Sequence, residues 1–557
     1  MKKTLVFLLT LIVLVALSGC KKTETKIIPG DNDPFGKYDN LTTIELVRTS
    51  DASIESDILS YYNDETLQNN RFTNLFEEEL NIKITYKFIA ANPEQYRTKL
   101  NLAMSINDLP DFMMVDPQQI KQLNAAEQLI DLTEYWETYA SDLLKEITTQ
   151  EGNQVLEAAT IDGKLLGIPQ MFSSIDRAQF LWIRTDWIDK INEDNPNLNL
   201  PKEPKTIDDL EKIARAFMTE DPDGNGRDDT YGIINQGNLW ADLGGLTALF
   251  NSYDAYPNIW VESDGKLEFG SIQPEVKETL AKLSEMYNEG IIHREFATQT
   301  SDTIADKIKT SKVGIVFGEQ WTCAWPIQDL YNINPNTEWK ALPLVSSDND
   351  KNTKTQITMG TYGWWAASKS SQHPEAIIKL MNTYVESIWG ENNDFDKYYM
   401  PEETGLPVWK LSPINPEPPT KNLDAYLSIK NAIENETEDT LVGEAKQIFD
   451  QIQKFEAGDK KFWSWSKGYN PLDEPVYESM KFYHDNELFQ YNQYNTAPTE
   501  TMVDRMSFLQ DEQNRVFTGI INGTKSLDDF DKFVDDWNRL GGEDITKEVN
   551  DWYKSIK

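Results

Sequence analysis

The sequence predicts an α/β fold divided into two lobes, and three observations carry that expectation. The first is a β-α-β opening. Residues 43–48 alternate apolar and polar side chains as a strand does, residues 71–80 carry the spacing of an amphipathic helix, and residues 81–88 alternate again. The second is length: 557 residues with 39% hydrophobic and 11% aromatic content hold enough apolar side chain for large cores but too much chain for one. The third is that strand-like runs return late, at residues 313–317 and 362–367. That return suits two lobes joined by several crossings rather than domains strung in succession.

Between these runs the other elements come in chain order. A helix is predicted from Pro93 to about Ser105, leading into the apolar run 109–116, which has the character of a buried parallel strand. Asp162-Gly163 supplies a tight turn, residues 180–184 offer another strand, and Thr185-Asp186-Trp187 opens a helix. His373-Pro374-Glu375 reads as an exposed start of a helix running through Tyr384. From there the pattern is mostly helical, ending with residues 526–540, and neither an internal repeat nor a low-complexity tract interrupts it.

The N-terminus reads as an export leader, residues 1–19. Lys2 and Lys3 precede the apolar run 5–17 and the sequence Leu17-Ser18-Gly19-Cys20. That run is short for a hydrocarbon layer of about 30 Å. Small residues before a cysteine resemble the bacterial lipobox, in which Cys20 would take a diacylglyceryl group; two acyl chains at about 0.8 kcal/mol per buried methylene hold a protein at a membrane. Polar residues 20–41 then read as a flexible tether. Cys323 is the one other cysteine, so a lipidated Cys20 leaves no intrachain disulfide. A net charge of −39 argues against nucleic acid and against recruitment by anionic headgroups, because both need a basic field.

Several motifs in this order resemble the family 1 extracellular solute-binding proteins of carbohydrate importers, particularly their long Gram-positive lipoprotein branch. They are Leu109-Pro110-Asp111, residues 162–169 from Asp162 to Pro169, Trp182-Ile183-Arg184-Thr185-Asp186-Trp187, an acidic loop from Asp221, Tyr362-Gly363-Trp364, and the tail Gly541-Gly542 with Asn550 and Tyr553. The resemblance implies a two-lobed, periplasmic-binding-protein-like (type II) fold with a hinge and extra C-terminal helices. It also implies a binder without chemistry, monomeric, lipid-anchored outside the cell, whose partners are a carbohydrate and the permease of an ATP-driven importer. Lobe one is expected to comprise 42–167 and 345–400, lobe two 168–344 and 401–557. The aromatic stretch 409–494 matches no ligand contact of the family.

The candidate residues fall into two groups. Asp221, Asp223, Asn225 and Asp229 place oxygen donors at positions 1, 3, 5 and 9 of a loop, with the Arg227 carbonyl at position 7 and Gly226 at the sharp turn. That is calcium-loop spacing, although position 12 is Gly232 and not glutamate, and it predicts a structural Ca²⁺. No organic cofactor is expected. For the ligand, sugar rings favour flat aromatic faces and polar edges. Trp240, Trp321 and Trp364 are candidates, with Asp116, Gln170 and Gln320 beside strand ends or crossings. An anionic ligand would need a cation in the cleft, for which Arg48 and Arg177 are available. No His-Glu-x-x-His, Gly-x-Ser-x-Gly or Walker-type loop occurs, and His293, His373 and His484 are scattered. A lipid-anchored glycoside hydrolase is the leading enzyme alternative, and a surface sensory or adhesion module is a third reading.

Overall fold

A computed structural model describes residues 32–51 and 53–556. The leader 1–19, Cys20 and the first part of the tether lie outside the described residues. The tether was expected to reach residue 41, but it docks sooner. Lys379 Nζ donates to Gly36 O (2.7 Å), Asn382 Nδ2 to Pro34 O (3.0 Å), and Tyr38 N to Leu80 O (3.0 Å). Tyr38 also meets the His373 ring edge-on at 5.0 Å, so the histidine at the helix start packs against the incoming chain. Among the described residues no helix is long and apolar enough to cross a membrane.

Eight strands build the opening pair and the two sheets that frame the junction of the lobes: β1 (Thr42–Thr49), β2 (Ile82–Ala90), β3 (Phe112–Val115), β4 (Ile168–Met171), β5 (Phe180–Arg184), β6 (Ile315–Gly318), β7 (Trp339–Leu342) and β8 (Thr361–Ala367). β1 and β2 pair in parallel around the helix Arg71–Leu80, as the opening pattern predicts. That helix is delimited by local chemistry. Asn70 caps its N-terminus through a reciprocal bond with Thr73, and Asn81 ends it in the left-handed conformation at φ 58°. β8 lies between β3 and β4, antiparallel to both, and Asp111 N donates to Glu45 O (3.0 Å), joining this sheet to β1. In the other lobe β5 lies between β6 and β7, again antiparallel.

Buried apolar side chains separate into two large cores. One gathers Ile44 to Met171, Trp364 to Ile388 and Phe395 to Ile414; the other gathers Ile175 to Ile357 and Leu423 to Val549. The fold is thus two-lobed α/β, and the chain crosses between lobes near residues 171–175, 357–364 and 414–423. The expected boundaries shift accordingly. Ile168 and Met171 belong to the first core, Val345 and Ile357 to the second, and Val408, Leu411 and Ile414 to the first. The cause is that lobe membership follows side-chain burial, which the break in periodicity near 345 and 400 does not report. The long helical tail packs on the second core through Glu500–Ile521, Asp528–Trp537 and Glu543–Ile556.

Candidate functional site

Where the carboxyl ends of β1 and β3 meet β4 and β8, lobe one opens into a cavity of about 540 Å³, also lined by Trp409, Lys410, Ser412, Pro413 and Asn415 of the segment leading into the third crossing. β4 places Gln170 in its wall. Gln170 Oε1 accepts from Trp365 Nε1 (2.7 Å) and from Asn415 N (3.3 Å), while its Nε2 donates to Asn415 Oδ1. A single amide therefore fixes a tryptophan of β8 against the crossing chain. Asp116 caps the helix Pro117–Ala125, accepting from Gln119 N (2.8 Å), and its other oxygen takes Arg97 from the preceding helix (3.2 Å). Tyr96 exchanges two hydrogen bonds of 2.9 Å with the backbone of Met114, which pins the first turn of the helix Pro93–Ser105 to the end of β3.

The cavity's aromatic residues are Tyr96, Tyr362, Trp365 and Trp409, of which Trp365 is packed in behind the wall and Tyr362 is the most exposed. Trp409 is backed by Tyr399, stacked at 6.1 Å and 18°. Beside them lie Asp51 and Lys410. Burial pushes the Asp51 carboxyl up, but hydrogen bonds from Ser53 Oγ (2.7 Å) and Ile54 N (3.0 Å) and the Lys410 charge outweigh it and hold Asp51 below the usual carboxylate range.

From this cavity a run of contacts leads to the second lobe. Tyr362 packs on Phe172 at 4.6 Å, the Arg177 guanidinium sits 5.9 Å from the Phe172 ring, and Arg177 reaches Glu319 Oε2 at 3.5 Å and Asp242 at 3.7 Å. Glu319 follows β6 and accepts from Trp321 Nε1 (2.6 Å); Trp321 in turn stacks on Trp325 at 6.1 Å and 26°. Burial, reinforced by the Asp242 charge and opposed by Arg177, pushes the Glu319 carboxyl up to about 7.

Two lobes, short crossings and a walled cavity at their junction are the geometry of a hinged binder. The family model described as "Bacterial extracellular solute-binding protein" matches residues 56–387. This chain belongs to that family. A polygalacturonan/rhamnogalacturonan-binding protein, YtcQ, of Bacillus subtilis is 24% identical over 481 residues, covering 82% of this chain and 83% of the relative. Lipoprotein LipO of the same organism is 26% identical over 315 residues, 55% of this chain and 58% of its own. Among solved structures, a human-milk-oligosaccharide (HMO) binding, ABC-transporter-associated solute-binding protein of Bifidobacterium longum infantis superposes with a TM-score of 0.61. It is 16% identical, with 92% of this chain and 99% of that chain covered.

In this solute-binding protein the expected ligand residues fare differently. Asp116 and Gln170 come together in the cavity wall. Trp321 and Gln320 stand after β6 on the second-lobe face, both half-buried. Trp240 is spent on packing: it tilts against Phe250 at 5.5 Å and donates from Nε1 to Asn514 Oδ1 (2.7 Å). Trp364 points the other way, into lobe one, where it is 4% exposed and donates to Val155 O (2.7 Å). Its neighbour Trp365 is on the cavity side instead, packed behind the wall with its Nε1 donated to Gln170. Strict alternation would put Tyr362 and Trp364 on one face, but a bulge between Thr361 and Trp364 shifts the register, with Gly363 at φ 149° and Met114 Cγ 3.1 Å from where its Cβ would be. Trp409, Lys410, Asn415, Tyr96 and Arg97 were not singled out in advance; nothing local marks them, because they come from a crossing and a helix end.

The calcium loop gathers its predicted side chains, but with a lysine among them. Lys312 Nζ donates to Asp223 Oδ2 (2.7 Å) and Asp229 Oδ1 (2.6 Å), Asn225 Nδ2 donates to the same two oxygens, and Asp221 accepts from Asn225 N and Gly226 N. Lys190 Nζ donates to the carbonyls of Asp221 and Pro222. Hydrogen bonds from Lys312 and Asn225 hold Asp229 below the usual carboxylate range. Among the described residues no group of three or more His, Cys, Asp or Glu is placed to hold a metal ion. In this arrangement the donors do not fit Ca²⁺: an ammonium already compensates their charge, the Asn225 amide presents N–H groups to them, and Gly232 offers no carboxylate.

Glu319 yields a pH prediction. Its folded pKa of about 7 exceeds the ordinary 4.5, so the folded state binds more protons between those values and stability contributed by this group falls as pH rises through that window. Glu319→Gln keeps an acceptor for Trp321 and removes the titration. Between about pH 5 and about pH 8 the wild type should lose on the order of 3 kcal/mol relative to the variant. Urea unfolding midpoints measured at both pH values check this, and parallel pH profiles refute it.

Proposed function

We propose that this protein captures a saccharide between its lobes and hands it, unaltered, to the permease of an ATP-driven importer at the outer face of the cell membrane. The observation that carries the reading is the cavity wall. The rings of Tyr362 and Trp409 stand beside the polar groups of Asp116, Arg97 and Lys410, which complements a sugar's apolar C–H face and hydroxyl rim. The relative named for binding polygalacturonan and rhamnogalacturonan supports a carbohydrate ligand. A ligand touching both the cavity and the Trp321 face favours the closed arrangement by the contacts it makes only there, and the permease reads that shape.

Calorimetric titration with a panel of mono- and oligosaccharides tests this reading. At least one oligosaccharide should bind with micromolar affinity and be recovered intact. Trp409→Ala should weaken it at least about fivefold, ~1 kcal/mol. Cleavage of the sugar, or silence across the panel, sinks the proposal.

Anchoring through Cys20 belongs to the same reading, supported by Leu17-Ser18-Gly19-Cys20 and by a relative named as a lipoprotein. Cys20→Ala should move the protein from the membrane fraction into the medium. Retention of the variant on membranes counts against it.

For the loop 221–229, calcium and the Lys312 ammonium compete for the same carboxylates. Chelation should leave the wild-type melting temperature nearly unchanged, whereas Lys312→Met should become several degrees more stable when calcium is added. An equal response of the two proteins to calcium disproves the competition.

A further inference from the structure

The ionisable groups lining the cavity have the opposite balance to the chain that carries them. The whole sequence has 92 Asp and Glu against 53 Lys and Arg, yet this wall holds Arg48, Arg97 and Lys410 against Asp51 and Asp116. Two of the three cations are not matched by a carboxylate contact. Arg48 is only 6% exposed, and its guanidinium donates to the neutral carbonyls of Thr49 (3.1 Å), Leu411 (2.8 Å) and Lys410 (2.9 Å). Three of its five N–H donors are thereby used, leaving two. Lys410 Nζ donates to the Ser53 hydroxyl at 2.9 Å and lies 5.8 Å from the Trp409 ring centroid. Among the described residues neither side chain has an ion pair; Lys410 reaches Asp51 through the Ser53 hydroxyl, which donates to Asp51 Oδ1 (2.7 Å), and through its charge. Arg97 is paired with Asp116 at 3.2 Å but is 61% exposed, so its guanidinium is open to a second anion.

A buried guanidinium held by neutral carbonyls, 5.8 Å from the centroid of the Tyr86 ring and with no carboxylate against it, is costly to desolvate, and the cost is recovered when an anion arrives. A carboxylate suits it best, since two parallel N–H···O bonds match the unused donors. The aromatic rings fix where that carboxylate must be carried: on a ring flat enough to stack on Trp409, beneath the Lys410 ammonium.

We propose that the cavity selects a saccharide bearing carboxylates, a uronate, with its acid group read by Arg48 and Lys410 and a second one by Arg97. The proposal rests on the reading of the protein as a saccharide binder and names its substrate class. Gln170 and Asn415 are occupied with Trp365 and with each other, so discrimination falls to the charged groups.

The purified protein is titrated with trimers of galacturonate and of mannuronate, and with the same trimers methyl-esterified, which removes the charge and keeps the rings. At least one free acid should bind about tenfold or more tightly than its ester, and added salt should weaken the acid more than the ester. Lys410→Met and Arg97→Gln should each narrow the acid-to-ester ratio several-fold. Arg48→Lys should narrow it further, because a point charge replaces the fork; if that variant does not fold, the other two decide. Equal affinity for acid and ester, or an unchanged ratio in both Lys410→Met and Arg97→Gln, overturns the selection for charge and leaves saccharide capture standing. If neither acid nor ester binds while a neutral oligosaccharide does, selection for charge alone falls; if no saccharide binds, both readings fall.

Discussion

The fold depends on one constraint: the apolar side chains collect into two cores, and the chain passes between them at three places that must lie side by side. Their alignment is written in hydrogen bonds to backbone carbonyls. Phe172 N donates to Gly360 O (3.0 Å), Glu417 N to Met171 O (3.0 Å), Ser173 Oγ to Pro419 O (2.9 Å), and Thr361 Oγ1 to Gln170 O (3.1 Å). A hinge of this kind keeps its register while each lobe moves as a packed body, because bending needs changes at a few crossing residues and none in either core.

Ionisable groups reinforce the junction. Burial pushes the carboxyls of Asp176 and Glu417 up, and each is hydrogen-bonded: Asp176 accepts from Tyr477 (2.8 Å) and Asn422, Glu417 from Tyr399 (3.2 Å). Burial works against the Lys421 ammonium, but Glu444, Tyr399 and Glu417 outweigh it and hold Lys421 charged. These residues come from segments far apart in sequence, and exchanging one partner for an apolar group would strand the others. Such a cluster specifies which crossing lies against which more than it adds net stability.

The cavity inherits its shape from the same junction. Gln170 stands near the end of β4 just before the first crossing, Tyr362 and Trp365 lie at the end of the second, and Trp409 to Asn415 lead into the third. A ligand there touches every segment that must move when the lobes close. This couples binding to conformation without a separate relay. The wall's cations add a second consequence for the proposed carboxylate ligand: against an acidic chain, it would meet its favourable contacts only after it has entered.

The sequence alone determined the local elements. The alternation at β1 and β2, the amphipathic spacing of Arg71–Leu80 and the two-lobed α/β class were legible, because period is a property of neighbouring residues; the apolar runs of β3 and β5 were legible as strands, but β3 pairs antiparallel with β8 where a parallel strand was expected. Asp116 and Gln170 were legible as candidates because both lie at or just after strand ends, and both stand in the cavity wall. The tertiary structure decided the rest: that the Gly363 bulge turns Trp365 and not Trp364 to the cavity, that Trp240 is consumed by Phe250 and Asn514, that Lys312 enters the acidic loop, and that Trp409 to Asn415 return to line the cavity. Each of these joins residues far apart in the chain. Periodicity states which side of an element is apolar, but the partner that covers it is chosen by the burial of two cores at once, and a one-residue bulge is enough to exchange the faces.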